Sequence, residues 1–167
     1  MRDTAYYIVP IFVLFNSGIK TTLHHWSRCD IPFSPSNGTD TILPDKCTPF
    51  LHAEEGADNV TVLAEALANV ITDFKSNGYE AAFVYYTHVD TLGHQFGPDA
   101  SETKEEIKMI DGIIKTFLDN LANEGLADTT NFIITADHGM SLNSDKVKYL
   151  HYNLFKNYSY IVNFSGI

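Results

Sequence analysis

Positive charge is scarce in this chain. Eleven lysines and arginines stand against 21 acidic residues among 167, a formal net charge of −10. Grip on a nucleic-acid backbone needs a basic face, so a nucleic-acid duplex is excluded as a partner. Long apolar runs are missing as well: nothing reaches the ~18 residues that span a bilayer. Residues 6–15 have the length of a signal-peptide core, but Pro10 interrupts them and Asn16-Ser17-Gly18 is a poor cleavage site. That run reads as a buried strand, so an exported protein would carry its targeting and membrane-anchoring segments outside this chain. Repeats and low-complexity tracts are absent too. The remaining composition, 44% hydrophobic and 13% aromatic, is that of a globular protein with one domain.

Cysteine is nearly absent: Cys29 and Cys47 stand alone, flanking a stretch rich in Pro, Ser, Gly and Asn. In a cytosolic protein they would be two buried thiols. In an exported one they would close a loop of about 19 residues, worth roughly 3 kcal/mol of loop entropy. Glycosylation sequons at Asn37, Asn59, Asn157 and Asn163 point toward export and an extracellular or cell-surface location. An acidic solvated surface accounts for most of the negative charge, and a multi-carboxylate metal site would use part of it.

What is present alternates. Residues 20–52 carry Pro32, Pro35, Pro44 and Pro49 and read as a long irregular loop stapled by the cysteines. Leu63, Leu67, Val70, Ile71 and Phe74 recur at helical spacing, with Asp58 or Asn59 as cap and Gly78 as terminator. Residues 81–86 form a continuous apolar run, as in a strand covered on both faces. A loop containing Gly93, Gly97 and Pro98 leads to a helix capped by Ser101, striped with Ile107, Ile110, Ile114, Phe117, Leu118 and Leu121, and closed by Gly125. Residues 131–136 read as another buried strand. Strands alternating with helices imply an α/β fold, a mostly parallel sheet with helices on both faces. Ligands of such sheets bind at the carboxyl ends of the strands.

Two Asp/His pairs fall there: Asp90 with His94, and Asp137 with His138. Carboxylate oxygen and imidazole nitrogen together suit a divalent cation such as zinc. Each pair alone has a plainer reading. Asp90 and His94 would brace a loop through a hydrogen bond, and Asp137-His138-Gly139 would be a turn. Adjacent side chains share a ligand only where the strand has ended, which Gly139 allows.

The segments Asp90-x-x-Gly93-His94-x-x-Gly97-Pro98 and Thr135-Ala136-Asp137-His138-Gly139-Met140 closely resemble two motifs of the nucleotide pyrophosphatase/phosphodiesterases, ecto-enzymes of the alkaline-phosphatase superfamily. The intervening helix with Asp111, the run Val9-Pro10-Ile11-Phe12 and the segment from Trp26 through the cysteines resemble theirs as well. The resemblance implies an alkaline-phosphatase-like fold, incomplete here, with residues 1–167 as the central portion of a catalytic domain. It implies two Zn2+ ions, one held by Asp90, His94 and a later His, the other by Asp137, His138 and an earlier Asp. It further implies a threonine nucleophile, matched by no residue here, that forms a phospho-threonine intermediate on a small phosphodiester substrate. With two ligands per metal and no nucleophile, the chain by itself is expected to be inactive. His151 is expected at the surface.

Cys29-Asp30-Ile31 after Trp26 looks most like the choline-specific glycerophosphodiester branch. That likeness makes Tyr85 a candidate for a cation–π cage, with packing in the sheet as its other reading. Thr48 stands where an aromatic would be expected. His24, His25, His52 and His88 read as loop or surface residues, His88 also as a possible pocket wall. Two further readings belong to the sequence: a sulfatase or cofactor-independent phosphoglycerate mutase, against which the Gly93-His94-x-x-Gly97-Pro98 segment argues, and a non-catalytic ecto-domain or truncated pseudoenzyme acting as a binding module.

Overall fold

Three strands build one parallel sheet: β1 (Thr21–Trp26), β2 (Lys46–Pro49) and β3 (Ala81–Val84), in the order β2-β1-β3. The structure is a computed structural model and describes residues 18–32, 42–50 and 60–142. The expected strand at 6–15, the sequons at Asn37, Asn59, Asn157 and Asn163, the cap candidate Asp58, and His52 and His151 lie outside the described residues. The stretch expected to be a loop therefore contains two strands, one of them central. β1 was hidden because Thr21-Thr22-Leu23-His24-His25-Trp26 neither alternates nor forms an apolar run. Thr21, Thr22 and His24 are nonetheless buried, and each finds a partner, as burial demands. Thr21 takes the Asp45 carboxylate on its N–H (2.8 Å) and donates its hydroxyl to the Ile19 carbonyl (2.9 Å). His24 is 1% exposed and so is no surface residue.

Around His24 lies a polar cluster joining the sheet to helix α1 (Val60–Ser76). Lys46 Nζ donates to both oxygens of Asp73 (2.9 and 2.7 Å), and Asn77 Nδ2 donates to one of them (3.1 Å). His24 Nε2 stands 3.6 Å from Asp73 Oδ2 and 3.2 Å from Thr22 Oγ1. Burial pushes the Asp73 carboxyl up, but the bonds from Lys46 and Asn77 and the Lys46 charge outweigh it and hold it below the usual range. Burial, helped by the Lys46 charge, pushes His24 below the usual imidazole range against the opposing pull of Asp73.

Among the described residues, two further α-helices follow, α2 (His88–Phe96) and α3 (Ser101–Asn123). Leu63, Leu67 and Val70 of α1 pack against Phe117 and Leu121 of α3, with Ala82, Val84 and Tyr86 against them. Gly78 and Gly125 follow their helices at φ 68° and 73°, the left-handed backbone expected of terminators. Ser101 is the first helical residue rather than the cap, which is Ala100. The apolar stripe of α3 is also rotated: Ile107 and Leu118 are exposed, whereas Thr103 and Glu106 are buried.

The opposite sheet face carries Leu23, Phe83 and the Cys29–Cys47 disulfide, whose Cα atoms are 5.7 Å apart. The register slips by one residue between His24 and Trp26, with His25 at φ 56°. Because side chains alternate along a strand, one inserted residue reverses the face of everything after it. The bulge thus carries Trp26 to the side of Leu23 and Phe83, where its ring meets those of Phe83 (5.9 Å) and Tyr85 (5.8 Å).

Candidate metal centre

The first Asp/His pair follows β3 by a short link and lies on a helix rather than in the expected loop. Helical spacing places residues four apart on one face, and His94 Nε2 stands 3.4 Å from Asp90 Oδ1. The glycines of this segment do something other than tighten a loop. Gly93 is buried, and a Cβ there would sit 2.9 Å from Cε of Met140 and closer still to its sulfur. Gly97 ends α2 at φ 98°, and a Cβ there would meet Leu142 at 3.0 Å. Both glycines therefore admit the segment bearing the second pair.

That segment is not the buried strand expected at residues 131–136. No ladder pairs it with β1, β2 or β3, and Ile133 is 82% exposed. A strand exists only where a partner accepts its backbone hydrogen bonds, and among the described residues none lies alongside. Phe132, itself exposed, has its ring 5.5 Å from that of Phe117.

Met140 and Leu142 seat this segment against α2, and His138 arrives at the first pair. Its Nε2 is 3.8 Å from Asp90 Oδ1 and 3.8 Å from Asp137 Oδ2. His138 thus meets Asp90, each with its own pair partner beside it, and all four side chains are exposed. His138 Nδ1 donates to the Gly139 carbonyl (2.9 Å). This bond comes first among the causes that raise the imidazole's affinity for a proton, followed by the Asp137 charge.

The arrangement fits a cation in two respects. A neutral His138 bonded through Nδ1 presents its Nε2 lone pair to the carboxylates, the tautomer a metal ligand needs. Ligand atoms on a tetrahedral zinc, each about 2.1 Å from the ion, lie about 3.4 Å from one another, close to the separations around Asp90. Among the described residues, no group of three or more His, Cys, Asp or Glu is placed so as to hold a metal ion. The four converge as pairs.

Tyr85 borders the same spot. Burial, then the charges of Asp137 and Asp90, raise its phenol above the usual range. Its ring packs between Trp26 and Phe50, the latter 6.1 Å away. Phe50, which sequence reasoning passed over, and Met140 are the additions the structure makes here. A Gly-x-x-x-Gly spacing facing two later apolar residues was the signal available for Met140. Gly93→Ala should push Met140 off α2, move His138 from Asp90 and weaken zinc binding on the order of tenfold. Adding Met140→Ala should restore most of it, and a competitive zinc titration of the three proteins checks both expectations.

Similarity to known proteins agrees with the motifs. The family model described as type I phosphodiesterase/nucleotide pyrophosphatase matches residues 9–161. Ectonucleotide pyrophosphatase/phosphodiesterase family member 7 of Mus musculus is 32% identical over 78 residues, 46% of this chain and 18% of its own length. Member 1 of Rattus norvegicus is 27% identical over 150 residues, 87% of this chain and 15% of its own. A venom phosphodiesterase of Naja atra is 25% identical over 134 residues, 80% and 15%. The chain thus spans less than a fifth of the length of these relatives. Among solved structures, inactive murine ectonucleotide pyrophosphatase/phosphodiesterase 5 in complex with AMP superposes with a TM-score of 0.63 at 24% identity, over 81% of this chain and 33% of that one. That likeness supports the fold alone. With the family model covering nearly the whole chain, and both of its Asp/His motifs meeting in space, the chain belongs to the type I phosphodiesterase/nucleotide pyrophosphatase family.

Proposed function

We propose that this chain contributes two pairs of ligands to a two-zinc phosphodiesterase centre: Asp90 with His94, and Asp137 with His138. The observation that carries this reading is the approach of Nε2 from both His94 and His138 to one oxygen of Asp90. Zinc bound there would act as a Lewis acid toward the phosphoryl oxygens of a phosphodiester. The chain's own residues hold the ligands: α2 fixes Asp90 and His94, and the Met140–Gly93 contact brings His138 to them. Hydrolysis then belongs to a protein in which these ligands are joined to a nucleophile.

The substrate is a small phosphodiester, either a nucleotide or a choline head group. Tyr85, flanked by Trp26 and Phe50, offers aromatic surface to a base or to a quaternary ammonium, and the neighbouring carboxylates favour the cation. Extracellular placement accords with the disulfide and with the ecto-enzyme relatives. Among the described residues no helix is long and apolar enough to cross a membrane. The pairwise rather than closed arrangement of ligands favours one second reading, a non-catalytic ecto-domain that binds a partner.

Assay of the full-length protein on a chromogenic phosphodiester separates the two. The enzyme reading expects turnover that a chelator removes and zinc restores, followed by a preference for either nucleotide or choline diesters. Zinc binding with no turnover of either class would leave the binding module.

A further inference from the structure

Two buried polar residues of α3 take no part in the site described above. Thr103 and Glu106 are 3% and 2% exposed, and they stand three apart, on one face of the helix. Both reach α2. Thr103 Oγ1 donates to the Gly97 carbonyl at the far end of α2 (2.9 Å). The Glu106 carboxylate accepts a hydrogen bond from Tyr86 Oη (2.5 Å) and lies 3.1 Å from Nδ1 of His88, the first residue of α2.

A carboxylate is buried only where partners compensate its lost hydration. Here both partners belong to the junction between β3 and α2. Thr87, at the cap position of α2, makes no side-chain cap hydrogen bond, and a negative charge near that end answers the helix dipole. A nine-residue helix does not hold itself in place. Its rotation and entry point come from what grips its ends, and a turn by one residue would aim Asp90 and His94 elsewhere.

We propose that Thr103 and Glu106 form a two-point clamp on α2, making Glu106 a positioning residue that aims Asp90 and His94. The inference rests on the zinc reading of the site. It goes further in assigning a task to a carboxylate that does not touch the ion.

The test measures zinc affinity of the whole chain by competition with a chromogenic chelator, and amide hydrogen exchange of the metal-free chain. Glu106→Ala should weaken zinc about tenfold or more, the range typical of residues behind the ligands, and Glu106→Gln and Thr103→Val should weaken it less. Leu121→Ala, which loosens the core elsewhere, should lower thermal stability while leaving zinc affinity unchanged below its melting transition. In the metal-free chain, Glu106→Gln should speed exchange of α2 amides about tenfold without speeding those of α1. Unchanged zinc affinity in both Glu106 variants, where Asp90→Ala abolishes binding, would overturn the clamp and leave the zinc reading intact. No zinc uptake by the wild type would overturn the zinc reading, and the exchange data would then decide the clamp by themselves: unchanged α2 exchange contradicts it.

Discussion

Asp90→Ala should remove zinc-dependent turnover of a phosphodiester by the full-length protein, a loss of roughly a hundredfold or more. The magnitude follows from geometry. The Asp90 carboxylate stands 3.4 Å from His94 Nε2 and 3.8 Å from His138 Nε2, so its loss removes the group between the two histidines. Changing a residue behind the ligands already costs about 10–100-fold, and loss of a ligand itself should cost no less. His138→Ala should behave similarly, because its Nε2 is the ligand atom of the second motif that approaches Asp90. Rates measured at saturating zinc distinguish weak occupancy, which excess metal repairs, from a lost ligand geometry, which it does not. Near-normal turnover in either variant would remove both residues from the centre.

The largest effect on stability should come from Asp73→Ala. This carboxylate of α1 is 1% exposed and gathers Lys46 and His24 from two strands and Asn77 from just past the helix. Its removal leaves a buried network without its charge, which typically costs about 3–5 kcal/mol. The low end is expected, about 3 kcal/mol, because the Lys46 ammonium keeps contact with water. A urea titration of wild type and variant measures it.

The same cluster sets a pH dependence. Both Asp73 and His24 bind protons less readily in the fold than in the unfolded chain. Stability from His24 is therefore complete above its unfolded value, about 6.5, and declines as pH falls below it. Stability from Asp73 follows, declining as pH drops below the ordinary carboxylate range toward its lowered folded value. His138 works in the opposite sense: its raised affinity contributes below about 6.5 and is lost as pH rises. The informative quantity is thus a difference. Between pH 7.5 and 5.5, wild type should lose more stability than His24→Gln, which keeps polar partners but does not titrate.

The sequence displayed the site more plainly than the sheet that supports it. Asp90, His94, Asp137 and His138 were legible because motif spacing fixes residue types locally, and the helices at Leu63–Val70 and Phe117–Leu121 were legible from their period. β1 was not, since a central strand made of threonines and histidines is stabilised by partners distant in the chain, Asp45 and Asp73 among them. Nor was the bulge at His25, which decides the face Trp26 occupies. The segment at 131–136 erred the other way. Its Ile133-Ile134 run has strand propensity, yet among the described residues no strand lies beside it, and it is exposed. Glu106 announced itself faintly: it lies four before Ile110 on α3, a charge standing where the stripe calls for an apolar residue. Such a break in pattern marks a buried polar contact. The sequence gives no hint of which helix receives it.

X-ray absorption at the zinc edge of the zinc-loaded chain tests the proposed zinc ligation most directly, because it reads ligand identity. Imidazole scattering with nitrogen and oxygen neighbours at about 2.0–2.2 Å, weakened in His138→Ala, is the expected result. Sulfur at about 2.3 Å, or a purely hydrated ion unaltered by that substitution, would contradict it.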